Sequence, residues 1–278
     1  MAKGTRKEDD GNPPPARPNL GGQRKYDLDD CFFDSIDTEA KAYWLGFITA
    51  DGCVRSGPQG TAGWNLNQVN VKLKASDAGH LEKLKADLSA ESPLIPVPHK
   101  SHPGVQVSFS SRRLVGSLTR LGVTPRKSLT VQPWAGPDDL MRHYWRGMFD
   151  GDGTIARHPG DRPKWHLRML GSEAVVEAFR VWASATCGSA AGKYPKGNIW
   201  SWTVGGLAEP QALVRELYDG STVYLDRKYE LALQLMAAPV LRRNRDGTPC
   251  SRDRCDDEAT DNGRCRRRRG RRDRQHAD

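Results

Sequence analysis

Hydrophobic and polar residues alternate in four short segments, at residues 67–74, 105–110, 164–169 and 200–204. Alternation with a period of two is typical of a β-strand that buries one face and leaves the other open. The first segment, for example, places Val69, Val71 and Leu73 on one face. The polar positions of the first and third segments are Gln68, Asn70, Lys72, Lys74, Lys164, His166 and Arg168. The pattern therefore predicts strands with polar outer faces.

Helical patterns lie between these strands. Leu81, Leu84 and Leu88 recur at the spacing of one helix face, and Asp77 can cap the start of that helix. Further helices are predicted over residues 112–121, 172–186 and 211–218. The order helix, strands, helix, strands, helix occurs twice along the chain. The predicted architecture is therefore two α/β halves that pack through a shared pair of helices.

One segment of the chain is repeated in the two halves. Residues 43–54 read YWLGFITADGCV, and residues 144–155, which lie 101 positions later, read YWRGMFDGDGTI. Each copy has small residues four positions apart, which share one helix face and allow a second helix to approach closely. Asp51 and Asp152 follow these small residues, and the glycine after each can end the helix in a left-handed turn. Two such helices side by side would bring the two carboxylates together.

A pair of neighbouring carboxylates has a defined chemical preference. The two charges repel each other unless a cation or a proton lies between them, and helix C-termini add partial negative charge. Such a site favours a hard divalent cation with oxygen ligands, and Mg²⁺ in contact with a substrate phosphate is the natural occupant. The sequence therefore predicts a site for Mg²⁺, or Mn²⁺, that acts on a phosphodiester.

Both copies of the repeated segment resemble the LAGLIDADG motif of homing endonucleases, including the final Ala50-Asp51-Gly52 and Gly151-Asp152-Gly153. The resemblance covers most of residues 25–238. It implies an α+β fold of two pseudo-symmetric αββαββα repeats, at residues 27–138 and 139–240, which form a DNA-binding saddle. It also implies a monomeric, site-specific endonuclease that hydrolyses both strands of double-stranded DNA with a divalent metal.

The same resemblance implies roles for individual residues. Asp51 and Asp152 would be the metal ligands, assisted by the backbone carbonyls of Ala50 and Gly151. Lys127 and Lys228, which are also 101 positions apart, would lie near the metals and support catalysis. The seven polar strand positions given above would bind DNA, because such side chains can contact base edges and phosphates. Asp150 is not a predicted ligand, because the first copy has Thr49 at that place.

Simpler interpretations of these residues, and other functions of the fold, stay open. The two aspartates could be ordinary Asp-Gly helix ends, and the two lysines could be ordinary surface residues. LAGLIDADG folds also serve as RNA maturases and as regulators that bind DNA without cleavage, although the presence of both aspartates favours a nuclease. An intein is not expected, because the chain begins with Met1 and ends with His276-Ala277-Asp278, without the residues that splicing needs. A freestanding or intron-encoded mobile element is the expected source.

Charge is concentrated at the two ends of the chain. Of a net charge of +9, residues 1–26 carry +3 and residues 242–278 carry +5. Both ends lack apolar periodicity, so segments 1–26 and 241–278 are predicted to be disordered, and the Arg-rich C-terminal segment is predicted to bind phosphates.

Cys250, Cys255 and Cys265 could supply three zinc ligands, but a structural zinc site needs a fourth.

The remaining composition narrows the class of protein. Hydrophobic residues make up 37% of the chain and the mean hydropathy is −0.70. The sequence has no apolar leader and no apolar run of the length that a membrane helix needs. These features predict a cytoplasmic protein, encoded by a prokaryote or a phage, without a membrane partner.

Overall fold

The computed structural model describes residues 25–56, 67–158 and 164–239, which form two units with the same order of elements. The first unit contains α1 (Glu39–Asp51), β1 (Gly52–Arg55), β2 (Gln68–Lys74), α2 (Ala78–Asp87), β3 (Ile95–Val97), β4 (Gly104–Ser110) and α3 (Arg112–Arg120). The second contains α4 (Asp138–Asp152), β5 (Gly153–His158), β6 (Lys164–Gly171), α5 (Glu173–Cys187), β7 (Lys193–Lys196), β8 (Ile199–Gly206) and α6 (Ala208–Tyr218). This order confirms the predicted α+β fold of two αββαββα repeats.

Each unit contains a four-stranded antiparallel sheet. The strand orders are β1-β2-β4-β3 and β5-β6-β8-β7, so the long strands pair at the centre of each sheet. Val71 pairs with Val107 in the first sheet, and Leu167 pairs with Val204 in the second; all four side chains are buried. Helices α2 and α3 pack on the first sheet, and α5 and α6 pack on the second. The other face of each sheet carries the polar positions of the alternating pattern.

Helices α1 and α4 form the most extensive contact between the two units. A Cβ atom added at Gly147 would overlap the carbonyl oxygen of Tyr43 and lie 2.8 Å from the backbone nitrogen of Phe47. A Cβ atom added at Gly46 would in the same way overlap the carbonyl oxygen of Tyr144. The two backbones therefore touch at these glycines, as the repeated small residues predict. Thr38 caps α1, since its hydroxyl accepts a hydrogen bond from the backbone nitrogen of Lys41.

The structure differs from the sequence-based predictions at two places in the fold. Helix α7 (Asp226–Ala237) follows α6 at the end of the second repeat and was not predicted, although its helix-forming Ala, Leu, Glu and Gln residues are a usable signal. Asp77 is the N-cap residue of α2, as predicted, but the side-chain hydrogen bond expected of a cap is not made. Asp77 lies in a 3-10 turn (Ala75–Asp77) and makes no side-chain cap bond; its Oδ2 instead accepts a hydrogen bond from Nε of Arg227, at 2.9 Å.

Several predictions concern segments beyond the described residues. Nearly all of segment 1–26, the whole of segment 241–278, and Cys250, Cys255 and Cys265 lie there. Among the residues that the structure describes, no helix has the length and apolar character to cross a membrane.

Candidate active site

Asp51 and Asp152 are the last residues of α1 and α4. The glycines that follow them do not adopt the left-handed turn that the sequence suggests, because Gly52 has φ −77° and Gly153 has φ −84°. Glycine is needed at both positions because a side chain would collide with the preceding helical turn. A Cβ atom at Gly52 would lie 2.6 Å from the carbonyl oxygen of Ile48, and one at Gly153 would overlap that of Phe149. Each chain segment therefore turns from helix directly into strand against the last helical turn.

Close packing of the helix ends brings the two carboxylates toward each other. A Cβ atom at Gly151 would lie 3.5 Å from both Cγ and Oδ2 of Asp51, so the Asp51 carboxylate lies against the last turn of α4. Burial raises the pKa of Asp51 to about 6, and the negative charge of Asp152 is the second cause of this rise. Burial also raises the pKa of Asp152. Asp51 still reaches solvent, so water and ions have access to the pair.

Lys127 and Lys228 are buried beneath the two carboxylates. Nζ of Lys228 donates to the carbonyl oxygens of Phe149, Asp150 and Gly153, each at 2.6 Å, which uses all three of its N–H groups. Nζ of Lys127 donates to the carbonyl oxygen of Gly52 at 2.6 Å, with a longer contact of 3.4 Å to that of Ala50. Each lysine therefore donates to carbonyl oxygens at the C-terminal end of one central helix.

Burial lowers the pKa of both lysines, to about 8 for Lys228. Their positive charge offsets the negative charge of the helix ends and of the two aspartates, because it lowers the pKa of each carboxyl group. Both ammonium groups are thus held by backbone carbonyls of the helix ends that carry the two aspartates. A direct catalytic role stays a prediction for both.

We expect Lys228→Met to lower the free energy of unfolding by about 2 kcal/mol, because three backbone carbonyls lose the hydrogen bond from the buried ammonium group. Urea unfolding measures this loss. Lys100→Met, at an exposed lysine, is the matched control and should leave stability unchanged. Equal stability of the two variants would mean that Lys228 does not hold the helix end together.

Asp150 points into the core rather than into the site. It is fully buried and accepts hydrogen bonds from the hydroxyls of Tyr43 at 2.7 Å and Tyr218 at 2.6 Å, and from the backbone nitrogen of Leu225 at 2.8 Å. Burial raises the pKa of this carboxyl group. Asp150 therefore joins α1, α4 and α6, in agreement with its exclusion as a metal ligand.

A second buried charge also joins the two units. Arg146 has no exposed surface, and it donates to Glu39 at 2.6 Å and to the carbonyl oxygens of Val223 at 2.9 Å and Leu217 at 3.0 Å. In the first copy of the repeat the matching residue is the apolar Leu45. Sequence reasoning missed this network because its partners lie far apart along the chain.

The seven predicted DNA-binding residues all lie on the two sheet faces that point away from the helices. Lys72, Lys74 and Lys164 are exposed. Asn70 is nearly enclosed, and its Oδ1 accepts a hydrogen bond from Ser108 at 2.6 Å. Within the described residues, Nδ2 of Asn70, Nδ1 of His166 and Nε of Arg168 are enclosed but have no hydrogen-bond partner. These faces therefore combine exposed lysines with enclosed polar atoms that have no protein partner.

The donor set at the helix ends fits a hard divalent cation with few protein ligands. No group of three or more His, Cys, Asp or Glu side chains suited to a metal occurs in the described part of the chain. Asp51 and Asp152 would therefore hold such a cation with the carbonyls of Ala50 and Gly151, and water or phosphate would complete its shell. Mg²⁺ commonly binds in this way.

The chain is similar to solved structures of WhiA and of meganucleases. Full-length DUF199/WhiA from Thermatoga maritima is 16% identical with a TM-score of 0.46; the match covers 75% of this chain and 64% of that chain, less than two thirds of its length. Meganuclease I-SmaMI bound to uncleaveable DNA is 13% identical with a TM-score of 0.49, and the match covers 73% of this chain and 88% of that chain. LAGLIDADG meganuclease I-AabMI bound to uncleaved DNA is 10% identical with a TM-score of 0.47, and the match covers 70% of this chain and 87% of that chain. No protein-family model matches the chain, and no curated protein matches it significantly. Similarity at this level carries neither an activity nor a residue role to this chain.

Proposed function

We propose that this protein is a site-specific endonuclease that hydrolyses both strands of double-stranded DNA, with Mg²⁺ or Mn²⁺ held by Asp51 and Asp152. The observation that carries the proposal is the backbone contact of α1 with α4, which places two carboxylates of raised pKa at adjoining helix ends. Two acidic groups in such a place cost stability, and a phosphodiester-cleaving site gives them a use. One chain supplies both halves, so the proposed enzyme is a monomer with internal pseudo-twofold symmetry.

The polar sheet faces support DNA as the proposed substrate. Each half presents strand positions that alternate away from the core, and Lys72, Lys74, Lys164 and Arg168 among them supply positive charge. Lysine and arginine on such a surface bind phosphates, and amide and imidazole groups can contact base edges. The two faces would hold the two halves of one duplex site while the helix ends meet the backbone between them.

Each part of the proposed site has a separate task in hydrolysis. Asp51 and Asp152 would hold the cation against the DNA backbone. Lys127 and Lys228 would hold the ends of α1 and α4 in place through their bonds to the helix-end carbonyls. When bound, Mg²⁺ or Mn²⁺ would supply the positive charge that offsets the charge of the phosphodiester in the transition state. Water attacks phosphorus, the bond from phosphorus to one deoxyribose oxygen breaks, and a proton released by the water ends on that leaving oxygen, so the products are a phosphate end and a hydroxyl end.

A selection from randomised DNA tests this proposal and needs no known target sequence. Duplexes with a long randomised segment are enriched by retention on the protein in the absence of divalent metal. Mg²⁺ is then added to the enriched pool, and the ends of any fragments are sequenced. The proposal expects cuts on both strands at one recurring sequence. Enrichment of a sequence that stays intact in Mg²⁺ and in Mn²⁺ would contradict cleavage.

The rate of cleavage should depend on pH through Asp51. Its pKa of about 6 means that a proton increasingly occupies the metal-binding carboxylate as the pH falls below that value. With limiting Mg²⁺ we expect the single-turnover rate to fall about tenfold per pH unit below about pH 6, and to level off above it. Additional Mg²⁺ should move the midpoint to lower pH, because metal and proton compete for the same oxygen atoms. A rate independent of pH in this range would contradict the assignment.

A binding protein without cleavage is the second candidate. The observation that favours it is the occupation of the Lys228 ammonium by three carbonyls, since this group is then unavailable to the substrate. Such a protein would bind DNA or a structured RNA through the same sheet faces. The selection distinguishes the two, because a binding protein enriches a sequence that Mg²⁺ leaves intact.

A further inference from the structure

A cleft of about 350 Å³ opens beside Asp51 and is lined mainly by polar and charged side chains. Its lining includes Asp51, Gly151, Lys72, Lys74, His102 and Arg227. Lys72 and Lys74 come from the open face of the first sheet, whereas Arg227 comes from the first turn of α7 in the second half. The cleft therefore brings cations from both halves to one of the two carboxylates.

Arg227 is the cation that the protein holds in a fixed place within this cleft. Its Nε donates to Oδ2 of Asp77 at 2.9 Å; the Asp77 side chain is 7% exposed and that of Arg227 is 51% exposed. Within the described residues, the Nη1 and Nη2 groups of Arg227 donate to no protein atom, so they remain available to a ligand. A guanidinium fixed at one edge presents its other N–H groups in the geometry that suits a phosphate.

Among the described residues, the side of the central site that carries Asp152 shows no matching arrangement. Arg126 occupies the position 101 residues before Arg227, but it has φ 58° and precedes a 3-10 turn (Lys127–Leu129) instead of lying in a helix. Ser172 precedes α5 in the second half, which is the position that Asp77 has before α2 in the first half. Its hydroxyl donates to the carbonyl oxygen of Val131 at 2.9 Å and caps α5. No carboxylate at that place anchors Arg126, so the two sides of the central site differ.

We propose that Arg227 binds a phosphodiester group of the DNA strand that passes Asp51, and that Asp77 positions its guanidinium. The inference rests on the proposed function, because it takes DNA as the ligand. Among the residues that the structure describes, no anchored arginine offers such a contact to the strand that passes Asp152. The two strands of the target therefore differ in how firmly they are held at the point of cleavage.

The salt dependence of DNA binding tests the contact independently of cleavage. The probe is the duplex pool enriched by retention, with divalent metal absent. Each phosphate contact contributes about 0.9 to the slope of log K against log salt concentration. Arg227→Gln should reduce the slope by about that amount, and Arg126→Gln, the matched control, should leave it unchanged. Equal slopes for the two variants would overturn the proposal.

A charge-balanced variant removes the alternative that only net charge matters. The double variant Asp77→Asn/Arg227→Gln keeps the net charge of the wild type and leaves no buried carboxylate unpaired. We expect it to lose the same part of the slope as Arg227→Gln. A wild-type slope in the double variant would show that Arg227 acts through overall charge, and would overturn the contact.

Cleavage of a supercoiled plasmid that carries the enriched sequence tests the difference between strands. With Mg²⁺, Arg227→Gln should accumulate nicked circles before linear product, and Arg126→Gln should not. Equal slowing of both strands by Arg227→Gln would overturn the strand-specific assignment. If the wild type cuts neither strand while the slope still falls for Arg227→Gln, the phosphate contact stands and the proposed nuclease activity fails.

Discussion

Asp51→Asn and Asp152→Asn should each lower the rate of DNA cleavage by about 10³-fold, because each removes one of the two charges that hold the metal. Asparagine has nearly the same shape as aspartate, so the fold and the sheet faces should be unaffected. Binding of the enriched duplex should therefore stay close to that of the wild type. Single-turnover cleavage and equilibrium binding, measured on the same preparations, separate the two effects.

The matched control for these variants is Asp139→Asn, at an exposed residue in the first turn of α4. It removes the same charge from the other end of the same helix and should leave cleavage unchanged. Wild-type cleavage rates in both Asp51→Asn and Asp152→Asn would exclude these residues as metal ligands.

Asp51→Asn should also increase the stability of the protein at neutral pH. The pKa of Asp51 is raised from about 3.8 to about 6 in the folded state, so the folded protein binds more protons than the unfolded chain between these values. Its contribution to stability is therefore lost as the pH rises through this interval, and the charged group is unfavourable above it. Removal of the charge should eliminate this cost. A residue that costs stability and is needed for activity is typical of a functional site.

Gly147→Ala should lower the free energy of unfolding by about 3 kcal/mol. The added methyl group would overlap the carbonyl oxygen of Tyr43 and lie 2.8 Å from the backbone nitrogen of Phe47. Both obstacles belong to the backbone of α1, so a rotamer change cannot relieve them and the helices must move apart. That movement would also separate Asp51 from Asp152, so cleavage should fall even where the variant is fully folded.

Gly79→Ala is the control for this substitution. Gly79 lies within α2, and no atom lies within 4 Å of a Cβ added there. We expect this variant to gain about 0.5 to 1 kcal/mol, because alanine is the better helix former. Urea unfolding of both variants gives the comparison. Similar stabilities would mean that the helix contact is looser than the structure indicates.

Periodicity in the sequence predicted the elements that recur at regular spacing, and failed where a contact crosses between distant segments. The alternation around Val71 and Leu167 predicted the central strands and their open faces. Asp77 is the N-cap residue of α2 as predicted, but its side chain binds Arg227, which lies 150 residues away and belongs to the other half. No local pattern reports such a pair.

The repeated segment predicted the positions of the two aspartates but not what supports them. The resemblance to homing endonucleases implied a matched role for Lys127 and Lys228, and both bind helix-end carbonyls in the structure. Asp150 lacks a counterpart, because the first copy has Thr49. Its partners Tyr43 and Tyr218 come from both halves, so only the folded chain reveals that connection.

Binding of Mn²⁺ to the protein–DNA complex, measured by electron paramagnetic resonance, tests most directly whether the two helix ends form one metal site. The wild type should bind Mn²⁺, and the double variant Asp51→Asn/Asp152→Asn should lose this binding while it still holds the enriched duplex. The double variant Asp138→Asn/Asp139→Asn, with the same change in charge, should bind Mn²⁺ as the wild type does. Undiminished Mn²⁺ binding by Asp51→Asn/Asp152→Asn would contradict a metal site at the ends of α1 and α4.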